Sequence, residues 1–301
     1  MPPLRLGTRG SALARRQTEL VAEALSAAGV DSEPLVIHTT GDRNLSASLL
    51  EIGGQGVFVR EIEQALVEGR VDVAVHSAKD MPGELLPGTT VGATLPRADV
   101  RDVLVGSSLA GLAPGARVGT GSRRRVAQLL AARPDVVPAE IRGNVDTRLR
   151  KLSDGDYDAV ILAAAGLERL GRAELVAESL PIDLMLPSPG QGVIALQVRD
   201  DDAATVAVLA AVDHAPTSTA LRAERALLQT LGAGCSLPVA ALAHLRANEV
   251  LLLTRVLDSR GEQWISVQES GPAADPEAVG RRAGEGLLAR GARELLQEFV
   301  S

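Results

Sequence analysis

The chain reads as an α/β protein of two doubly wound lobes followed by a small α+β domain. Three observations predict this. Short β-branched runs alternate with helical periodicity through the first two thirds of the sequence, as they do when helices cover both faces of a sheet. Two polar or proline-rich segments, residues 96–102 and 186–192, interrupt the alternation and suggest that the chain crosses twice between two hinged lobes with a cleft. Beyond residue 217 the pattern becomes helix, three strands, helix. The expected division is 1–97 with 193–214 for the first lobe, 98–192 for the second and 215–301 for the third domain.

Composition narrows the function. Hydrophobic residues make up 46% and charged residues 23% of 301, enough apolar chain for several cores. Aromatics are 1%, so Leu, Val, Ile and Ala must fill those cores, and stacking platforms for single-stranded nucleic acid are not expected. A net charge of -7 also argues against a nucleic-acid partner. The Met-Pro-Pro-Leu-Arg-Leu-Gly start is not a secretory signal, and the longest apolar run, 159–167, is too short to span a bilayer. One cysteine, Cys235, excludes an internal disulfide and a multi-cysteine metal site. A cytoplasmic protein without a metal is expected.

Taken in order, Leu4 to Thr8 is a strand candidate, and Leu13, Ala14, Val21, Ala24, Leu25 and Ala28 then recur at helical spacing up to Gly29. Ser11 suits the N-cap of that helix, with Arg9 beside an end that attracts anions; Ser11 as a cap alone is equally compatible. Pro34 to Thr40 is a second strand, and a loop follows to Gly56. Its Gly53-Gly54-Gln55-Gly56 tract fits a lid better than a nucleotide loop. Phe58, Ile62, Ala65 and Leu66 form one helical face. Val71, Val73 and Val75 then build a buried strand whose carboxyl end, where ligands collect in such sheets, receives His76, Ser77, Lys79 and Asp80 before Pro82. An ordinary surface ion pair would also account for Lys79 and Asp80. The β-α-β-α-β order implies a parallel sheet.

The second unit repeats the plan. Val103 to Val105 and Ala116 to Val118 are strands, and Gly119-Thr120-Gly121-Ser122 leads into a helix from Arg123 to Ala132. Arg123, Arg124 and Arg125 fall in its first turn, where cations oppose the macrodipole. That placement fits a bound anion; a solvated basic face is the alternative. Arg142 follows a short strand, Arg148 lies on the next helix, and Arg169 follows the strand from Tyr157 to Ala164. Several cations at strand ends of an acidic protein, with Ser and Thr nearby, indicate a polycarboxylate or phosphate ligand. Val193 to Val198 is a strand, and a helix from Ala203 should pack back on the first lobe. The third domain should hold a helix from Thr219 to Leu231, three strands (239–245, 249–257 and 263–269) and one long helix from Pro276 to Phe299. Cys235 lies in a Gly-rich loop, and taken alone it reads as a small buried hydrophobe.

Several stretches carry a resemblance: Arg5 through Ser11, Val75 through Pro82, Gly119 through Arg125, Arg142 through Val145, Leu162 through Gly171, Pro187 through Gly192 and Gly234 through Pro238. In this order and spacing the sequence resembles the porphobilinogen deaminase (hydroxymethylbilane synthase) family over essentially its whole length. The resemblance implies lobes like those of periplasmic binding proteins and a dipyrromethane cofactor joined by a thioether to Cys235. It implies a transferase of porphyrin and haem biosynthesis that condenses four porphobilinogen molecules, acting as a monomer with no membrane or nucleic-acid partner. Asp80 matches the catalytic aspartate. Lys79, Ser122, Arg124 and Arg125 match contacts to the cofactor carboxylates; Arg9, Ser11, Arg142 and Arg148 match substrate and chain contacts; Thr120 and Arg169 match further polar positions. Gln55, with Phe58 beside the lid, stands where many members have Lys, and Gly121 where Ser is frequent. The rival reading is a non-catalytic two-lobed receptor for an acidic small molecule, which would need neither the third domain nor its cysteine.

Overall fold

A computed structural model describes residues 2–37, 59–232, 237–297 and 299. In chain order the elements begin with β1 (Leu4–Thr8), α1 (Ala12–Ala27), β2 (Ser32–Val36), α2 (Arg60–Val67), β3 (Val73–Ser77) and β4 (Thr89–Thr94). There follow β5 (Asp102–Val105), β6 (Arg117–Gly119), α3 (Arg123–Ala132), β7 (Val137–Ala139), α4 (Val145–Ser153), β8 (Ala159–Ala163), α5 (Ala164–Arg169) and β9 (Val176–Ser179). The remainder is β10 (Ile194–Arg199), α6 (Ala203–Leu209), α7 (Ala215–Leu231), β11 (Val239–Arg246), β12 (Glu249–Leu257), β13 (Trp264–Pro272), α8 (Pro276–Ala289) and α9 (Ala292–Gln297). Two compact units result, Met1–Arg97 with Val193–Ser218 and Ala98–Gly192 with Thr219–Ser301.

The first unit holds a five-stranded sheet of order β2-β1-β3-β10-β4. Because side chains alternate across a strand, Leu4, Leu6, Val73 and Val75 enter one core with Val21 and Leu25 of α1, while Ala74 enters another with Ile62, Ala65 and Leu66 of α2, which Val71 joins from just before the strand. Leu209 of α6 joins the first of these cores, so the helix from Ala203 packs back on this unit as the sequence predicts. The second unit contains a sheet of matching design, β7-β6-β8-β5-β9. Its Leu104, Val118, Leu129 and Ile161 pack on one side, and Val103, Ile141, Val160 and Leu162 on the other.

β1, β2 and β3, the strands of the β-α-β-α-β run, pair in parallel as that order implies, but neither whole sheet is parallel. β10 runs antiparallel to β3 and β4, and β5 antiparallel to β8 and β9. The cause lies in the connections. β5 and β10 each follow directly from one of the segments 96–102 and 186–192, with no crossover helix to return the chain to the same end of the sheet. The three-stranded antiparallel sheet β11-β12-β13 packs on α7 and α8 through Ala223, Leu227, Val250, Leu252, Val279 and Leu287. The single long helix expected at the carboxyl end is two, because Gly291 takes φ +93° and separates α8 from α9.

Two glycines of α8 show how tightly this last layer is built. A Cβ on Gly280 would lie 2.2 Å from the Ala223 carbonyl oxygen and 2.7 Å from the Ala226 Cβ, whereas one on Gly286 would meet only Val267 at 3.5 Å. Alanine in a helix interior gains roughly 1 kcal/mol over glycine, and backbone that must move apart costs more than that. Gly286→Ala should therefore raise the unfolding free energy by about 0.5–1 kcal/mol, and Gly280→Ala should lower it by about 2 kcal/mol or more. Urea titration of the two variants checks the opposite signs.

Candidate active site

At the end of β3 the strand runs on through His76 and Ser77, and Ala78–Asp80 form one 3-10 turn. The Ala78 N–H donates to the Val193 carbonyl at 3.0 Å, and the Met81 N–H closes the turn on the Ala78 carbonyl at 3.2 Å. His76 is thus a buried strand residue, and only Lys79 and Asp80 lie beyond the strand, fewer than the sequence reading placed there. Asp80 is exposed. Among the described residues it makes no hydrogen bond or ion pair, so the surface-pair reading of Lys79 and Asp80 does not hold. A cavity of about 70 Å³ is lined by Asp80 together with Arg9, Ser11, Gln17, His76 and Ser77.

Ser11 caps α1, its side chain accepting from the Ala14 N–H at 3.3 Å. The cap fixes where the helix starts and so sets Arg9 and Ser11 on the wall shared with Asp80. Gln17 was not singled out from the sequence. It is buried and donates from Nε2 to Ser77 Oγ at 2.8 Å. Its signal was legible as a polar residue on the face of Val21 and Leu25, four and eight positions before them, where a helix meets its core.

In the second unit Ser122 caps α3, accepting from the Arg125 N–H at 3.4 Å, and buried Thr120 accepts from the Ser122 N–H at 3.2 Å. The three arginines behind this cap separate. Arg123 turns to Phe299, with Nη1 3.0 Å from its carbonyl oxygen and the guanidinium 5.0 Å from its ring centroid. Arg124 and Arg125 are buried at 4% and 6% exposure and share one fully buried carboxylate, Asp102. Arg124 Nη2 donates to Asp102 Oδ2 at 2.7 Å; Arg125 donates to Oδ1 from Nε at 3.1 Å and from Nη2 at 2.7 Å. Arg124 Nη1 also reaches the Leu186 carbonyl at 2.6 Å, and Arg125 Nη1 the Ile161 carbonyl at 2.9 Å.

The sequence reading weighed a bound anion against a solvated basic face for this turn. Burial of Arg124 and Arg125 removes the solvated face for these two, and Asp102 supplies a counter-charge from within the chain. Nothing in the Asp99-Val100-Arg101-Asp102 run marks Asp102 as buried, since Asp99 and Arg101 beside it form an exposed pair. Burial pushes the Asp102 carboxyl up, but Arg124 and Arg125 outweigh it and hold the pKa at about 2. Burial lowers the pKa of Arg124, with Asp102 opposing.

The remaining cations lie apart from this cluster in their bonding. Arg142 pairs with Glu140 through Nε at 2.9 Å, and Arg148 Nε donates to the Gly143 carbonyl at 2.9 Å. Arg169 Nη2 donates to the Gly192 carbonyl at 2.7 Å, and burial pulls its pKa down to about 10, still charged at neutral pH. A Cβ on Gly121 would lie 3.2 Å from the Ile141 carbonyl oxygen, so a side chain there would sit close to backbone. Gln55, Phe58 and Cys235 lie outside the described residues.

A family model described as the dipyromethane cofactor binding domain of porphobilinogen deaminase matches residues 4–207, and one for the C-terminal domain of the same protein matches residues 218–289. The chain belongs to the porphobilinogen deaminase family. Relatives bearing the name porphobilinogen deaminase include one from Roseiflexus sp. (strain RS-1), 47% identical over 97% of each chain. Another, from Moorella thermoacetica, is 44% identical over 99% of this chain and 97% of its own. Among solved structures, a periplasmic substrate-binding protein from Coxiella burnetii overlaps 69% of this chain and 91% of its own at 14% identity and TM-score 0.43.

For a porphobilinogen deaminase the arginine cluster fits an acidic cofactor. Two guanidinium groups face one carboxylate, leaving one buried positive charge over. Arg124 Nε is buried and has no hydrogen-bond partner among the described residues, a donor that a carboxylate would satisfy. Among the described residues no cluster of His, Cys, Asp and Glu suits a metal ion, and no helix is long and apolar enough to cross a membrane.

The depressed pKa of Asp102 has a stability consequence with a definite sign. Its folded pKa of about 2 lies below the usual aspartate value near ~4, so its contribution is complete above pH ~4 and is lost as pH falls through the folded value. Acid titration of stability should show the wild-type unfolding free energy falling more steeply between pH ~4 and ~2 than that of Asp102→Asn. Parallel curves would contradict this.

Proposed function

We propose that this porphobilinogen deaminase is a hydroxymethylbilane synthase. It takes four porphobilinogen molecules and one water to the linear tetrapyrrole hydroxymethylbilane and four ammonia, as a cytoplasmic monomer of three domains: 1–97 with 193–214, 98–192, and 215–301. One observation carries the reading. Asp80 is an exposed carboxylate without a partner among the described residues, in a cavity it shares with Arg9 and Ser11. A carboxylate so placed can assist departure of the aminomethyl nitrogen as ammonia and stabilise the positive charge that develops on the pyrrole.

Arg9 and Ser11 bind the acetate and propionate arms of the incoming monomer. Lys79, Ser122, Arg124 and Arg125 hold the cofactor carboxylates, with Arg124 Nε as the open donor. Arg142, Arg148, Thr120 and Arg169 bind the lengthening chain. Arg142 enters this role from an exposed pair with Glu140, which is weak and can exchange for a substrate carboxylate. When bound through sulfur at Cys235, the dipyrromethane supplies the nucleophilic α-carbon of its terminal pyrrole and the fixed end of the chain. Gln55 and Phe58 belong to the lid, where Gln55 offers a hydrogen bond in place of a charge.

Purified protein incubated with porphobilinogen should release ammonia and hydroxymethylbilane. Asp80→Asn should keep the folded state and lose turnover by about 10²-fold or more, because an amide does not stabilise a cation as a carboxylate does. Ammonia release by Asp80→Asn at near wild-type rate would overturn the assignment. Replacing Arg142 or Arg148 by Ala should leave partly elongated enzyme, read as a changed ladder of intermediate masses.

A further inference from the structure

Asp102 lies at the meeting of more bonds than its two ion pairs. Gln191 Nε2 donates to Asp102 Oδ1 at 3.0 Å and to the Val100 carbonyl at 2.7 Å. Arg124, on the other carboxylate oxygen, donates to the Leu186 carbonyl, and Gln128 Nε2 donates to that same carbonyl at 3.0 Å. The segments 96–102 and 186–192 are thus tied to each other and to the first turn of α3 through one carboxylate.

The four donors on Asp102 have different consequences. Arg125 reaches Oδ1 through both Nε and Nη2, a fork that fixes the plane of its guanidinium. Arg124 reaches Oδ2 through Nη2 alone, and the Leu186 carbonyl takes Nη1, so Nε is held buried with its hydrogen unclaimed. A guanidinium pinned at both terminal nitrogens has no freedom to turn Nε elsewhere. We infer that Asp102 is a positioning residue for the reaction: it holds Arg124 so that Nε–H presents to a carboxylate of the sulfur-anchored pyrrole chain, with Gln191 fixing Asp102 in turn.

The inference rests on the proposed synthase activity and concerns the anchored chain, not the arriving monomer. Loss of Asp102 should therefore lower kcat and the loaded fraction while KM for porphobilinogen stays within twofold of wild type. A residue serving stability alone would lower the melting temperature and leave kcat per loaded molecule unchanged. Misplacement of a binding group by about 1 Å costs up to ~10²-fold.

The test compares wild type, Asp102→Asn and Gln191→Met, each purified as folded protein. Loading is read with Ehrlich's reagent for pyrroles, and kcat and KM from porphobilinogen turnover. Asp102→Asn is expected to lose roughly tenfold or more in kcat per loaded molecule. Gln191→Met removes the Gln191 amide bonds to Asp102 and to the Val100 carbonyl and leaves the Arg124 and Arg125 donors to Asp102 in place. It is expected to lose about threefold, again without a change in KM, and it decides the matter if Asp102→Asn does not fold. Wild-type kcat per loaded molecule in whichever of these variants folds would overturn the role of Asp102. Absence of turnover in the wild type would instead overturn the synthase reading.

Discussion

A carboxylate sealed from water between two guanidinium groups is the constraint on which the second unit depends. Taking Asp102 into the interior carries a desolvation cost that only charge partners of good geometry offset. Arg124 and Arg125 provide that geometry from consecutive positions of one helical turn, and backbone carbonyls at Leu186 and Ile161 take donors left over. The position of β5 in its sheet, the start of α3 and the path of residues 186–192 are mutually fixed by this arrangement. It sets two positive groups against one negative one, and a buried charge without a partner is costly.

The first unit handles charge in the opposite way. Asp80 sits on a short turn after β3, exposed and without a partner among the described residues, next to a helix amino end that carries Arg9 and Ser11. One unit therefore carries an exposed carboxylate and the other a buried guanidinium N–H, each without a partner among the described residues.

Much of this is legible in the amino-acid sequence. The bounds of α3, the cap at Ser11 and the packing of the helix from Ala203 followed from periodicity and capping chemistry, which act over a few residues. What stayed hidden depended on contacts far apart in sequence. Asp102 lies 22 and 23 positions from its arginines and looks like one more polar residue of a connector. The antiparallel strands β5 and β10 have the same apolar runs as parallel ones, and only the absence of a crossover helix gives them away. Gln17 could have been found as a polar break in an apolar helix face, and the interruption at Gly291 as a glycine inside a helical pattern.

The central claim is that the surplus cation is matched by a pyrrole chain held through Cys235. The most direct test is the intact mass of the protein purified from a host that makes porphobilinogen, beside that of Cys235→Ser. The account predicts a wild-type mass above the 31.2 kDa of the sequence by two linked pyrrole units, with no such excess in Cys235→Ser. A wild-type protein at its bare sequence mass, or an excess that survives in Cys235→Ser, would contradict it.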